Sequence, residues 1–343
     1  MGGVAIKKII GIEGRRISLA EKTIFQIKIN DMFTKHKVTF RFIPEIKSKE
    51  TFGDIDVLVD KNVKNYLEAM IKDYFKEEFQ GVTTNKDIWS FAIDDVQIDF
   101  IFTEKQYMEI ARYYFSNNDM GNLIGRVARG VGLKFGHFGL LLPVRDYQNL
   151  YMLEEITLST DFIEILRFLK FNVDSYRQYF LSGFDTFEHM YEFVMSSELF
   201  NGTKYDLDKL NQANRIRNAK RTTYMNFINY LDDNPKYKNK IPLHPTLESY
   251  WSLKAVHCFG CEKEYFKVQL KREIECFLSE KLNGSLISNL TELVGKRLGD
   301  FIKDLKSVIN DQYDSLEDIT ISKIEQIILD FYKKSMYNSK HEE

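Results

Sequence analysis

Several things are scarce in this chain of 343 residues, and each scarcity narrows what it can be. Cysteine occurs three times, as Cys258, Cys261 and Cys276, an odd and clustered set that excludes a disulfide framework and fits a reducing compartment. Only 5 prolines and 18 glycines occur, which points to long regular elements with few coil linkers. No low-complexity stretch or internal repeat is present. No apolar run approaches the roughly 20 residues needed to cross a bilayer, and the start Met1-Gly2-Gly3-Val4-Ala5 lacks the apolar core of a signal peptide. A soluble, cytoplasmic protein without membrane partners is therefore expected. Charge of one sign is also missing. With 48 basic and 50 acidic residues the net charge is -2, so any nucleic-acid partner must be held by a local basic patch. What is present is apolar bulk: 44% hydrophobic and 14% aromatic residues exceed what one core usually organises, and two or more domains are expected.

Hydrophobic spacing divides the chain. Ile17, Ala20, Ile24, Ile27 and Met32 recur at helical intervals over residues 17 to 35, with Ser18 as N-cap. Val38 to Phe42 is a short β-rich run. After a polar, hairpin-like segment, Ile55, Val57 and Val59 alternate with Asp54, Asp56 and Leu58, the pattern of a half-buried strand. A helix over about Val63 to Glu78 leads to strands near Ile88 to Ile93 and Val96 to Phe102. In the last of these Ile98, Phe100 and Phe102 face one way and Gln97, Asp99 and Ile101 the other. From Glu104 the pattern turns helical, interrupted by a glycine-containing stretch from Gly130 to Leu142 that suits a small hairpin. Residues Leu207 to Leu231 carry a stripe close to 3.6-residue periodicity, and Lys236 to Pro245 is the candidate loop between helical subdomains. The fold class is α+β: a mixed β-sheet with flanking helices, followed by a mostly helical C-terminal region.

Strand alternation puts Asp54 and Asp56 on one face, and a neighbouring strand Val96 to Phe102 would bring Asp99 beside them. At about 4 Å and an effective dielectric near 20, each ionised pair repels by roughly 4 kcal/mol. Such a cluster calls for cations. Magnesium or manganese takes oxygen ligands, and two such ions can clamp the entering and leaving oxygens of an in-line displacement, the chemistry of phosphoryl and nucleotidyl transfer. An Asp-x-Asp pair alone is commonly a turn residue followed by a solvent-facing strand residue. Gly53 directly before the pair, and the isolated Asp99 between Ile98 and Phe100, favour the metal site.

The run Lys49-Glu50-Thr51-Phe52-Gly53-Asp54-Ile55-Asp56-Val57-Leu58-Val59 resembles the catalytic segment of the family X, DNA polymerase beta-like nucleotidyltransferases. Other segments resemble that family in order: Gly14-Arg15-Arg16-Ile17, Gln97-Ile98-Asp99-Phe100, Tyr113-Tyr114-Phe115, Ala128 to Leu140, and Ile156-Thr157-Leu158-Ser159-Thr160-Asp161-Phe162 to Arg177. The resemblance spans about residues 13 to 180 and implies a catalytic palm over 1–110 and a nucleotide-binding subdomain over 111–180. Residues 181–343 would form a helical domain of unrecognised type. It implies that Asp54 and Asp56 bind two Mg2+ or Mn2+ ions, that Asp99 binds the catalytic one and helps deprotonate a primer hydroxyl, and that Gly53 offers an amide to the triphosphate. Arg16 and Lys47 fall where the family holds the triphosphate, Lys47 at a position more often arginine. Tyr114 and Phe115 would pack on the sugar and base, and Arg126 or Gly125 would take the template-sensing position. The chain departs from the pattern at Ile43-Pro44, where the family has glycine-serine, and at Ser116-Asn117-Asn118-Asp119, where a second glycine-serine turn is replaced. On this alignment the chain is expected to begin at the palm, without the family's N-terminal lyase and helix-hairpin-helix modules.

The expected activity is therefore nucleotide addition to a nucleic-acid 3′ end, DNA before RNA, from a nucleoside triphosphate. Transfer to a protein or small molecule, and a non-catalytic polymerase-like scaffold, are the alternatives. Arg217, Lys220, Arg221 and Tyr224 lie three or four apart, as a phosphate-tracking stripe or a solvated helix face would. His257, Cys258, Cys261 and Cys276 leave a zinc site open beside the reading of ordinary core or partly buried thiols, and His137 reads as a packing or surface residue. Template use, sugar and base preference and oligomeric state are not legible.

Overall fold

A computed structural model describes residues 4–147, 151–244, 246–312 and 321–339. The reading of the chain's start concerns Met1 to Gly3, which lie outside the described residues, as does Pro245. Among the described residues no helix is long and apolar enough to cross a membrane. The chain forms two compact units, one of residues 1–142 and 157–260 and the other of 143–156 and 261–343. This division by compactness leaves open where functional subdomains would meet inside the first unit.

After a single helical turn at Lys7–Ile10, the first unit continues with β1 (Ile17–Ser18) and α1 (Leu19–Lys35). Ser18 caps α1 as the sequence suggests, its hydroxyl taking the Glu21 amide while Glu21 reaches back to the Ser18 amide, which satisfies two of the helix's orphan donors. There follow β2 (Phe40–Phe42), β3 (Thr51–Phe52), β4 (Asp54–Asp60), α2 (Leu67–Phe75), β5 (Phe79–Asn85), β6 (Ile88–Ile93) and β7 (Val96–Thr103). The main sheet has the order β2-β4-β7-β6-β5, with β4 and β7 parallel and the other pairs antiparallel. Its apolar face follows from the period-two pattern: Ile55, Val57, Val59, Ile98 and Phe100 pack under Phe25, Ile29 and Phe33 of α1 and Leu67, Ile71 and Phe75 of α2. Phe100 is the centre of this layer, edge-on to Phe33 at 5.6 Å and to Phe91 at 5.4 Å.

Two sequence readings change in this sheet. Strand β5 is a further strand: the helix stops at Phe75, Lys76 takes φ 47, and Gly81 at φ 149 bulges the pairing with β6. Its residues are mostly half-exposed, as an edge strand allows, so no strong alternation marks it. The face of β4 that carries Asp54, Asp56 and Asp60 is half-buried except at Leu58. Leu58 on that same face is buried with Ile101 under Met108 and Ala111 of α3 (Met108–Phe115).

Beyond α3 come α4 (Met120–Arg129), the hairpin of β8 (Lys134–Gly136) with β9 (Gly139–Arg145), and β10 (Met152–Ser159), which pairs on the other side of β9. Then follow α5 (Phe162–Phe168), α6 (Phe187–Met195), α7 (Gln212–Ala219), α8 (Thr222–Asp232) and α9 (Glu248–Cys258). The periodic stretch Leu207 to Leu231 is therefore two helices. Arg221 adopts φ -99 and ψ 106 between them, so Arg217, Lys220, Arg221 and Tyr224 do not share a helix face. The segment after Lys236, read as a loop between helical subdomains, is tethered to the residues before it. Lys238 pairs with Asp206 and Asp232, Lys240 donates to the Met195 and Ser197 carbonyls, and the Leu243 amide donates to Glu198, which pins it to its own unit.

The second unit holds α10 (Glu262–Lys281), α11 (Gly284–Thr291), α12 (Gly295–Gln312) and α13 (Ile321–Ser339). Ile287, Phe301, Leu305, Ile324 and Ile328 form its core. The architecture as a whole is α+β, as the sequence implied.

Because Phe100 is fully buried between two helices and the neighbouring strand, Phe100→Ala should destabilise the first unit by about 3–5 kcal/mol. Urea denaturation monitored by circular dichroism checks this, and a loss under about 1 kcal/mol would contradict the packing described.

Candidate metal centre

The parallel register sets Asp56 directly across from Asp99, and Asp54 across from Gln97. Alternation keeps all four side chains on the face away from the α1 and α2 layer. One oxygen from each of Asp54, Asp56 and Asp99 lies within 4.8 Å of the others. Three hard oxygen donors at this spacing suit magnesium or manganese.

The cluster is held from below and from the side. Gln97, 4% exposed, donates its amide N–H groups to both Asp99 oxygens at 3.0 and 2.9 Å, and its own carbonyl oxygen is fixed by the Ala5 backbone N–H at 2.9 Å. Ser90, opposite Asp99 on β6, hydrogen-bonds the same carboxylate. Toward Asp54 a partly buried ion network forms: Glu45 takes Lys22 on one oxygen and Lys49 at 2.5 Å on the other. Both ammonium groups also lie over the ring of Phe52, at 4.2 and 4.9 Å. Phe52 and buried Gly53 immediately precede Asp54. Sequence reasoning missed Gln97, Ser90, Glu45, Lys22 and Lys49. The first two could be found only from the register, since each faces Asp99 solely through strand pairing.

Electrostatics mark the cluster as uncomfortable without a cation. Burial raises the Asp56 carboxyl well above the carboxylate range, and Asp54, Asp99 and Glu45 push it the same way. Burial also raises Asp54, with Lys49 opposing. Asp99 is pushed up to about 6 by burial and by Asp54, against the hydrogen bonds from Ser90 and Gln97.

The remaining sequence candidates fall in several places. Pairing of β1 with β3 sets Arg16 beside Thr51, where its guanidinium donates to the Thr51 hydroxyl at 3.1 Å and carbonyl at 2.8 Å. Lys47 pairs with Asp185 at 2.8 Å and lines a cavity of about 360 Å3 together with Lys22, Lys49, Arg112 and Glu45. Pro44 lines the same cavity, and its carbonyl accepts the Asn117 amide at 2.7 Å, so the two departures from the polymerase pattern are joined to each other. Asn117 and Asn118 stand at φ 52 and 60, a conformation asparagine tolerates better than most residues, which explains how they replace a glycine-containing turn. Tyr114 and Phe115 stack edge to face at 5.1 Å, with Tyr114 against Phe135 and Phe115 against His137. Gly121 permits the α3–α4 approach, since a Cβ there would sit 2.1 Å from the Tyr114 carbonyl oxygen.

Arg126 donates to the Lys204 carbonyl at 2.7 Å. On the same face of α4 Asn122 meets Asn218 at 3.2 Å and Asp119 pairs with Arg221. Arg221 is thus engaged, Tyr224 is buried with its hydroxyl on the Tyr205 carbonyl, and Arg217 and Lys220 are exposed. Among the described residues the cysteines form no disulfide, with Cys258 exposed and Cys261 buried.

No protein-family model and no curated protein matches this sequence. Solved structures that align with it include Leishmania infantum polymerase beta in a ternary gap complex and in a ternary P/T complex. Each is 8% identical with a TM-score of 0.32 over 38% of this chain, and 52% and 59% of those chains are covered. The chain thus spans little more than half the length of the polymerases it aligns with, and likeness at this level says nothing about chemistry.

The raised carboxyls set the sign of a pH effect. A carboxyl that holds its proton more tightly when folded lends stability below its unfolded value, near 4, and loses it as pH rises through the folded value. Through Asp99 the metal-free protein should lose stability between about pH 4 and about 6, and Asp56, raised well above the carboxylate range, carries the loss to higher pH. Glu21, held down to about 2 chiefly by the Ser18 amide, titrates below that window. Asp56→Asn should raise the melting temperature of the metal-free protein at pH 8 and abolish the gain on adding magnesium or manganese, which for the unaltered protein is about 2.7 kcal/mol at a hundred times the Kd. Scanning calorimetry checks both. A metal gain preserved in Asp56→Asn would place the ions elsewhere.

Proposed function

We propose that the chain is a nucleotidyltransferase dependent on two divalent cations. The observation that carries the reading is the convergence of Asp54, Asp56 and Asp99 on a rigid parallel strand pair, in surroundings that penalise their charge. Natural folds seldom keep three such groups together for stability, and perturbed carboxyls gathered in this way are characteristic of functional sites. The resemblance of the Gly53 to Val59 segment to polymerase beta-like enzymes points to the same chemistry.

Asp54 and Asp56 would hold both ions, and Asp99 the one nearer the acceptor. When bound, the ions lower the charge on the phosphates and on the attacking oxygen. The acceptor hydroxyl oxygen bonds to the α-phosphorus of a nucleoside triphosphate, the bond from that phosphorus to the bridging oxygen of pyrophosphate breaks, and the hydroxyl proton passes to Asp99. Gln97 keeps that carboxylate aimed, because its amide is itself anchored by the Ala5 N–H. Lys22, Lys47, Lys49 and Arg112 line the 360 Å3 cavity and would meet the departing phosphates by exchanging present partners, Glu45 for Lys22 and Lys49 and Asp185 for Lys47. Arg16, Tyr114 and Phe115 are carried into this reading as nucleotide-binding residues by the resemblance.

The acceptor is a nucleic-acid 3′ end, with exposed Arg217 and Lys220 available to phosphates. One observation bears on template use. The face of α4 that carries Arg126 is tied to the 204–221 segment through Asp119, Asn122 and Arg126 itself, which favours transfer without template reading there.

Incubating the protein with a labelled primer, with and without a template strand, and with each dNTP or NTP plus magnesium or manganese, tests this reading. Extension is expected in both strand conditions, and Asp54→Ala and Asp99→Ala should each lower turnover on the order of a thousandfold. Near-normal turnover in either variant would remove the carboxylates from the reaction. Nucleotide appearing on the protein or a small molecule with the primer unchanged would redirect the acceptor.

A further inference from the structure

Positive charge is concentrated on one part of the first unit, away from the metal centre. Residues 201–221 hold six basic and two acidic side chains, in a chain whose net charge is -2. Some of this charge lines a cavity of about 220 Å3 that includes none of the three clustered carboxylates. Three segments form it: Arg126 on α4, Lys204, and the stretch from Lys209 to Asn214 that enters α7.

These cations lack the partners that others in the unit have. Lys22, Lys47 and Lys238 each meet a carboxylate, whereas among the described residues Arg126 and Lys204 form no ion pair. Lys209 has only its chain neighbour Asp208, at 3.8 Å. Arg126 is half-buried, so it is not simply a solvated side chain. It donates one N–H to the Lys204 carbonyl at 2.7 Å, and its Nε has no partner. A cation withdrawn from water without a counter-ion is costly, and folded proteins as a rule pair such groups. The bond to the Lys204 carbonyl also ties the 204 backbone to α4, which keeps two like charges from drifting apart. Glu248 is the one acidic residue at the lining, and among the described residues it pairs with none of the three cations. Arg129 lines the cavity too and is engaged elsewhere.

We infer that this cavity is a phosphate site. Cations from three segments suit an anion with three terminal oxygens, and a guanidinium among them matches phosphate geometry. The Asn214 side-chain amide, which makes no hydrogen bond among the described residues, offers a neutral N–H beside them. The volume is below the roughly 300–1,000 Å3 of sites that enclose a drug-sized ligand, so the cavity holds a phosphate group rather than a whole nucleotide. Lys204, Lys209 and Asn214 lie beyond residue 180, where the polymerase resemblance ends, and the cations would select phosphate whatever the carboxylates do. The group can belong to a small phosphorylated molecule or to a nucleic-acid strand.

Calorimetric titration with inorganic phosphate in EDTA tests this without metal. Phosphate should bind with a Kd on the order of 1 mM. Lys204→Gln combined with Lys209→Gln, both at exposed positions outside the core, should weaken this binding by about tenfold or more. Glu248→Gln, which removes the acid from the lining, should tighten it. Short single-stranded oligonucleotides with and without a 5′-phosphate then compete with inorganic phosphate. Displacement by the phosphorylated strand alone identifies a terminal phosphate, displacement by both strands alike identifies the backbone, and displacement by neither identifies a small phosphorylated molecule. None of these titrations depends on Asp54, Asp56 or Asp99, so their outcome is separate from that of the primer assay. Absence of phosphate binding would overturn the site. Binding that the double variant leaves unchanged would do the same, by assigning the phosphate to the 360 Å3 cavity, and acetate binding as tightly as phosphate would overturn the choice of ligand.

Discussion

Mutual repulsion among Asp54, Asp56 and Asp99 is the constraint around which the first unit is arranged. At about 4 Å and an effective dielectric near 20, each ionised pair opposes the fold by roughly 4 kcal/mol, comparable to the whole stability of a modest domain. The arrangement persists because the strands carrying the carboxylates cannot move apart. Ile55, Val57, Ile98 and Phe100 on the opposite face are locked beneath α1 and α2, and a slip of one residue in β4 would exchange the acidic and apolar faces. Protonation relieves the repulsion at low pH, and divalent cations would relieve it at neutral pH.

The surroundings follow from the same constraint. Gln97 and Ser90 spend their hydrogen bonds on Asp99, and Glu45 sits between Lys22 and Lys49 so that cationic charge approaches Asp54 without cancelling it. Beyond that network the cationic cavity lined by Lys47 and Arg112 extends the positive side of the site. Farther along β7 the same face ends at a cavity lined by Thr103 and His137. Carboxylates and cations thus fall in one unit, while α4 turns its Asp119, Asn122 and Arg126 toward the helices that follow.

Legibility in the sequence tracked the range of the interaction. Period-two alternation is local, so Asp54 and Asp56 fall on one face from the sequence alone, while Asp99 joins them only through the pairing of its strand, and the Ser18–Glu21 capping box signals its helix within four residues. The role of Gln97 rests on Ala5, 92 residues away, and the pairing of Arg221 with Asp119 spans 102 residues, so neither leaves a local trace. The break at Lys220 and Arg221 was hidden because α7 and α8 each continue an apolar spacing that one longer helix would also show. Strand β5 escaped notice for the opposite reason: as a mostly half-exposed edge strand it has no buried stripe to announce it.

Anomalous diffraction from crystals grown with Mn2+ and a non-hydrolysable nucleoside triphosphate tests the central claim most directly. The account predicts two manganese peaks about 3.5–4 Å apart, bounded by Asp54, Asp56 and Asp99 and bridged to the triphosphate. Manganese absent from these three carboxylates while the nucleotide is bound elsewhere would contradict it.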